Sequence, residues 1–381
     1  MWEITNNRRV IFGEDSVKQL PDILKWQGVK KVFFVTFSAS AAPTSNIKEL
    51  LQDAGISYVI YDKVVAEPDS VVIDGGRDLF LQEGCDCTVA LGGGSVIDTA
   101  KSINMLSTNG GSVEEYQMGE KQVTKESPFY VAIPTTSGTG AEGTKTAVVK
   151  NVHNGLKKSL YHVSMIADVV ILDPKMTLTL PKAITAATGM DALSHAIESY
   201  VSKNATPITE MYGLKAISLI SQSLEKACND PSDIEARGNM ALASYFGGMA
   251  ITAGIGIAHI CAQPIGGEFH VPHGDACAIF LPASMEFNLD FAEKKYADIA
   301  RALGVYDRNA TQRENAENAI KEVKRIRSAV GAPDSLRKYL PAELPSEDYV
   351  ADVIFRTCGH ITCNPAPVDK EVYKKFYREA L

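Results

Sequence analysis

Thr88 to Lys101 reads TVALGGGSVIDTAK, four apolar or β-branched residues followed by three glycines, a serine and a helical run. The first four residues predict a buried strand and Val96 to Met105 a helix, which leaves Gly92-Gly93-Gly94-Ser95 as the turn between them. Free backbone amides in such a turn converge where the helix dipole is positive, a setting that suits a phosphate. The motif is neither G-x-G-x-x-G nor G-x-x-x-x-G-K-[ST], so it fits neither the ordinary dinucleotide fingerprint nor a triphosphate-binding loop. Taken alone, a tight structural turn explains it as well as a phosphate cradle does.

The same alternation extends to both sides. Lys31 to Thr36 (KVFFVT), Tyr58 to Tyr61 (YVIY), Phe129 to Ile133 (FYVAI) and Val169 to Leu172 (VVIL) are further strands, with helices expected at Asn46 to Ala54 and Ser70 to Glu83. Strands alternating with helices make an open, mostly parallel sheet. A second cluster, Pro134 to Glu142 (PTTSGTGAE), follows the strand ending at Ile133 with four hydroxyls and two glycines. Ligands of open α/β sheets bind outside the carboxyl ends of the strands, where both clusters fall, and this favours a nucleotide.

Beyond Pro181 strand signals fade, and Ala183 to Ser202, Ile208 to Cys228, Ile234 to Ala253 and Phe291 to Leu303 carry helical periodicity. The expected organisation is an α/β nucleotide-binding domain over residues 1–180 and an all-α metal-binding domain over residues 181–381, hinged between Leu172 and Pro181. A chain of 381 residues, 45% hydrophobic, is long enough for two cores. Its 38 basic and 46 acidic residues give a formal charge of −8, without the basic runs that nucleic acid demands. No segment approaches the roughly 18 uninterrupted apolar residues of a membrane span. Seven cysteines, an odd number, point to reduced thiols and a cytoplasmic location, and Cys85 and Cys87 are expected to be packing residues.

In the helical half, Asp191 and His195 stand at i and i+4, so a carboxylate and an imidazole share one helix face. Their neighbours Ala192, Leu193, Ala196 and Ile197 are apolar, which argues for a buried pair needing a strong common partner rather than a surface ion pair. His259, His270 and His273 add three more of the chain's seven histidines within fifteen residues. A single histidine is more often a satisfied polar residue than a ligand. Asp191, His195, His259 and His273 together, however, make a set suited to Fe²⁺ or Zn²⁺ with a position left open for substrate.

Five ordered segments resemble the iron-containing (group III) alcohol dehydrogenase family: GGGSVIDTAK from Gly92, IPTTSGTGAEGT from Ile133, ILDPKMTLTLP from Ile171, ATGMDALSHAIESY from Ala187, and His259 with Pro272-His273-Gly274. The resemblance implies a dehydroquinate synthase-like fold and metal ligands at Asp191, His195, His259 and His273. It implies a pyrophosphate loop at Gly93, Gly94 and Ser95, and nicotinamide-side contacts at Thr135, Thr136, Thr144, Thr146 and Lys157. The implied reaction moves hydride between NAD or NADP and a small aldehyde or alcohol polarised by the ion, and a homodimer is the expected assembly.

Three positions depart from the family pattern. Phe37 stands where many relatives place an aspartate for the adenosine ribose, Ala66-Glu67-Pro68-Asp69 replaces a P-N-P-T segment, and Gln263 replaces a histidine four residues after His259. Because Gln263 cannot relay a proton, that task is assigned to His270, water or a cofactor hydroxyl. Two rival readings are a polyol dehydrogenase or sugar-phosphate cyclase of the same superfamily, and a non-catalytic nucleotide- or metal-binding protein that keeps the fold.

Overall fold

The computed structural model describes residues 2–155, 157–358 and 361–381. The chain forms two compact units, Glu3–Thr136 with Ala141–Thr179, and Leu180–Leu381 with Ser137–Gly140.

In the first unit the strands are β1 (Arg9–Phe12), β2 (Lys31–Thr36), β3 (Ser57–Tyr61), β4 (Cys87–Gly92), β5 (Phe129–Pro134), β6 (Thr146–Lys150), β7 (Lys157–Tyr161) and β8 (Val169–Leu172). Six of them make an all-parallel sheet in the order β1-β8-β5-β4-β2-β3, and β6 and β7 form a separate antiparallel hairpin. The helices of this unit are α1 (Leu20–Trp26), α2 (Ala42–Asp53), α3 (Ser70–Gln82), α4 (Gly94–Asn109) and α5 (Val113–Gln117). Every residue of β4 and β8 is buried, as expected of central strands covered on both faces. Cys87 opens β4 and Cys85 precedes it; both are buried free thiols.

From β2 the chain moves outward to β3, and from β4 it moves the other way to β5. The order therefore reverses between β2 and β4, and the switch point lies at the carboxyl ends of those two strands. One loop there begins with Phe37, and the other is the single residue Gly93, which leads directly into Gly94 and Ser95 at the start of α4.

The second unit holds α6 (Lys182–Val201), α7 (Pro207–Asn229), α8 (Ile234–Ala250), α9 (Ile257–Phe269), α10 (His273–Leu303), α11 (Gln312–Ala329), α12 (Glu347–Cys358) and α13 (Lys370–Glu379). α6 is its central helix, buried continuously from Gly189 to Val201 against α7, α8 and α10. Pro181 caps the start of α6, where its missing N–H costs nothing. α10 bends at Ala292, whose φ of −139° lies outside the helical range. Among the described residues no single helix is long and apolar enough to cross a membrane.

Ser137–Gly140 lies in the nucleotide half of the sequence but clusters with the helices. Its glycines explain how. A Cβ on Gly138 would stand 2.7 Å from Thr188 Cβ, and one on Gly140 would stand 2.3 Å from the Ser244 carbonyl. Gly140 also has a φ of +58°, and its N–H donates to Ser244 Oγ at 3.2 Å. Only residues without side chains let this segment lie directly on α6 and α8.

Candidate metal centre

One stripe of α6 carries three ionisable side chains, Asp191, His195 and Glu198, at spacings of four and three. All three are buried. α9 brings His259 and the first residue of α10 is His273. Gly274 is needed at this junction, because a Cβ there would meet the Ala187 carbonyl at 2.2 Å.

Asp191 Oδ1 is the point on which the imidazoles converge. It lies 3.2 Å from His259 Nε2, 3.5 Å from His273 Nε2 and 3.7 Å from His195 Nδ1. The rings of His195 and His259 stack with centroids 4.3 Å apart. Burial alone would raise the Asp191 pKa, but the three imidazoles outweigh it and hold the carboxyl far below its ordinary range. Burial pushes His195 down to about 4, so it is neutral at pH 7 and has a lone pair to give. His195 Nδ1 is buried with no hydrogen-bond partner.

Glu198, which sequence reading passed over, fixes His259. Its Oε2 accepts from His259 Nδ1 at 2.5 Å, and its Oε1 accepts from the Ala258 N–H at 2.7 Å. One carboxylate thus caps the start of α9 and orients the imidazole, so that Nε2 is turned toward Asp191. Burial opposes a charge on His259. Cys277, Glu198 and Asp191 around it favour one, and its pKa is raised well above the ordinary value. The signal for Glu198 was its place on the same stripe as Asp191 and His195.

Cys277 is the second residue missed. It follows His273 by one turn of α10, and the donor atoms of Asp191, His259, His273 and Cys277 all lie within 4.8 Å of one another. A carboxylate, imidazoles, a thiol and an unpartnered buried nitrogen fit a small divalent ion better than they fit one another, since hydrogen bonds alone leave His195 Nδ1 unsatisfied. His270 is not drawn into this cluster. It is exposed at the C-cap of α9 with a left-handed φ of 56°, and it makes the turn that leads to His273. Gln263 is half-buried on α9.

In the α/β unit, Gly93 caps α4 and Gly94 begins it, so their amides face outward at the helix's positive end. A Cβ on Gly93 would approach the Thr136 side chain to 3.1 Å. Ser95 Oγ donates to the Ala66 carbonyl at 2.6 Å, and Thr135 N–H donates to the Gly92 carbonyl. The fully buried Lys101 donates to the Ala141 and Thr146 carbonyls and to Thr144 Oγ1 at 2.9 Å, tying the loop after β5 to α4. Burial pushes the Lys101 pKa down to about 8. Lys157 at the start of β7 donates to Glu67 at 3.0 Å.

A glycine turn at the carboxyl end of a parallel strand suits a nucleotide phosphate, and a buried carboxylate among imidazoles suits a divalent ion, the two requirements of a metal-dependent dehydrogenase. The family profile described as iron-containing alcohol dehydrogenase matches residues 7–174, and the one described as Fe-containing alcohol dehydrogenase family, C-terminal, matches residues 185–381. The chain belongs to the iron-containing alcohol dehydrogenase family and is an alcohol and aldehyde oxidoreductase. It is 37% identical over 326 residues to the NAD-dependent methanol dehydrogenase of Bacillus methanolicus, covering 85% of each chain. It is 34% identical to the 1,3-propanediol dehydrogenase of Citrobacter freundii, over 97% of this chain and 96% of that one. A crystal structure of a 1,3-propanediol oxidoreductase superposes with a TM-score of 0.94 at 31% identity, over the whole of both chains.

If Glu198 holds His259 as a ligand, Glu198→Gln should weaken metal affinity by roughly 10–100-fold in chelator competition. His259 must lose its extra proton to bind, so wild-type affinity should rise with pH. Unchanged affinity in the variant would reduce Glu198 to a helix cap.

Proposed function

We propose that this chain interconverts short-chain aldehydes and alcohols with a nicotinamide cofactor held by the α/β unit and one divalent ion, iron or zinc, held by Asp191, His195, His259 and His273. The observation that carries this reading is the buried Asp191 carboxylate faced by three imidazoles, one of which has an orphaned nitrogen. When bound, such an ion polarises a carbonyl and a nicotinamide supplies the hydride. The relatives' printed substrates, methanol and 1,3-propanediol, support a small, unbranched one here.

The protein's own part is binding and orientation. Gly93, Gly94 and Ser95 offer backbone amides to the pyrophosphate, because the Ser95 hydroxyl is already engaged with Ala66. Thr135, Thr136, Thr144, Thr146 and Lys157 are assigned to the nicotinamide side, where Lys101 fixes Thr144 and Glu67 fixes the Lys157 ammonium. Asp191 and neutral His195 hold the ion, and Glu198 keeps His259 aligned with it.

A homodimer is the proposed assembly. Its support is β1, an edge strand with Val10 and Phe12 exposed, which leaves backbone donors and acceptors for a second copy. Light scattering should give twice the chain mass, and a monomer at micromolar concentration would remove this assignment. A cytoplasmic location is proposed on the seven free thiols.

Cofactor choice turns on Phe37, 46% exposed just beyond β2 where a ribose-binding carboxylate is missing. We expect both NAD and NADP to be used, and Phe37→Asp to shift kcat/KM toward NAD. A wild-type preference for NADH of roughly a thousandfold, about 4 kcal/mol, would mean that another residue holds the ribose; Asp62, which accepts from the Ala39 N–H, is a carboxylate in contact with that loop.

For His270, a relay role requires that His270→Gln lower kcat with metal content intact and alter the pH profile. Its exposed left-handed cap favours the other role, presenting His273, which Asn tolerates as well. His270→Asn is then expected to keep both kcat and profile, and a reduced kcat with a shifted profile would restore the relay.

A further inference from the structure

The α/β unit encloses a carboxylate for which neither the cofactor cradle nor the metal centre has a use. Glu142 lies in a tight turn, Ala141–Gly143, and is 2% exposed. Its Oε1 is buried without a hydrogen-bond partner. The cation beside it is Lys101, fully buried on α4, but that ammonium is engaged by the Ala141 carbonyl, Thr144 Oγ1 and the Thr146 carbonyl, which use all three of its donors. Asp98, one turn earlier on α4, is a second acid beside Lys101, and Tyr130 of β5 feels the charge of both acids.

The two acids are not equivalent. Burial raises the Asp98 pKa, but Lys101, Lys157 of β7 and the Val148 N–H, which donates to Oδ2 at 3.0 Å, all favour its ionised form. Glu142 has only its own backbone N–H and Lys101 in its favour, and burial pushes its pKa up to about 7. An ionised carboxylate with an orphaned, buried oxygen is costly, and a proton relieves that cost. With Lys101 charged and Asp98 ionised, the group is neutral only when Glu142 is protonated.

The place of this proton in the chain gives it a use. Thr144 and Thr146, assigned above to the nicotinamide side, follow Glu142 closely, and Lys101 ties all of this segment together. The oxidised and reduced nicotinamide rings differ by one positive charge. Such a charge on this segment, acting through a low-dielectric interior, favours an ionised carboxyl, and a neutral ring does not.

We propose that Glu142 is a proton store coupled to the redox state of the cofactor, releasing its proton when the oxidised nicotinamide binds and taking one back once the ring is neutral. The inference rests on the cofactor reading above and gives that site a proton-holding residue. Only the Glu142 O–H bond breaks and re-forms, and no electron moves at Glu142. The proton released on binding and the one regained on reduction cancel, so each alcohol oxidised still yields one proton to solvent.

Calorimetric titration of the full-length protein at neutral pH, in two buffers of different ionisation enthalpy, counts the protons released as NAD⁺ or NADH binds. The two molecules share every phosphate and sugar, so the comparison isolates the ring charge. Wild type should release up to about half a proton more with NAD⁺, because a group with a pKa of about 7 is half protonated there. Glu142→Gln should bind both forms with equal proton counts. Equal counts in the wild type overturn the proposal and leave the cofactor site standing. A difference that persists in Glu142→Gln also overturns it, by moving the proton to Lys101, Asp98 or the metal centre. If neither form binds, the cofactor reading falls and the proposal with it. Should the variant not fold, wild type at about pH 8 decides: Glu142 is then already ionised and the difference should vanish, whereas a difference that persists there overturns the proposal by assigning the proton to Lys101, whose pKa is about 8.

Discussion

Two carboxylates, Asp191 and Glu198, sit inside a helical core, each 2% exposed, and a buried charge of that kind persists only if it is compensated. The compensation organises the whole region. Asp191 draws His195, His259 and His273 toward one oxygen, while Glu198 takes the far nitrogen of His259 and the Ala258 amide in the first turn of α9. Four chain segments, α6, α9, the turn after α9 and the start of α10, are thereby fixed relative to one another by electrostatics rather than by apolar packing alone. Small residues follow from the same demand. Gly256 cannot carry a side chain because its Cβ would lie 2.6 Å from Glu198 Oε1, and Gly274 cannot because of the Ala187 carbonyl.

What could be read from the sequence follows the strength of local pattern. β2, β4, β5 and β8 were legible because central parallel strands are continuous apolar runs between turn signals. β1 was not, since RVIF at a sheet edge is mostly exposed, is only four residues long and begins with the second of two arginines. The β6–β7 hairpin was missed for another reason: it lies outside the main sheet, and Lys157, Lys158 and Tyr161 give β7 little of the apolar alternation that marks a strand. Helices α9 and α10 carry internal prolines, Pro264 and Pro282, together with glycines, and α9 is apolar on most faces, so its periodicity is faint.

The site shows the same division. Asp191, His195, His259 and His273 stood out because scarce residue types recurred at helical spacing or close together. Glu198 and Cys277 did not, because a glutamate on a helix usually faces solvent and a cysteine usually packs. Their roles arise from tertiary placement, Glu198 turned inward by its position on the Asp191 stripe and Cys277 carried in by the same helix that begins with His273. Ser137–Gly140 is a third case. Its serine, threonine and glycines read as one continuous ligand-binding loop with Thr135 and Thr136, but the glycines there serve close backbone approach to α6 and α8.

The departure at Glu67 gains its physical meaning from the hairpin that sequence reading missed. The segment Ala66–Asp69 is held on one side by Ser95 of the glycine turn, through the Ala66 carbonyl, and on the other by Lys150 of β6, whose N–H donates to the Pro68 carbonyl at 2.8 Å. An asparagine at position 67 would present a neutral amide from this anchored backbone. Glutamate presents a charge instead, and it takes Lys157 at 3.0 Å with Lys150 at 3.9 Å. With side chains about a quarter exposed, this pair adds little stability. Its effect is positional: a lysine otherwise free to swing on a four-carbon stem is held beside the turn that begins α4. A neutral amide is thus replaced by a charge that fixes a neighbouring lysine, on a backbone segment that Ser95 and Lys150 already anchor.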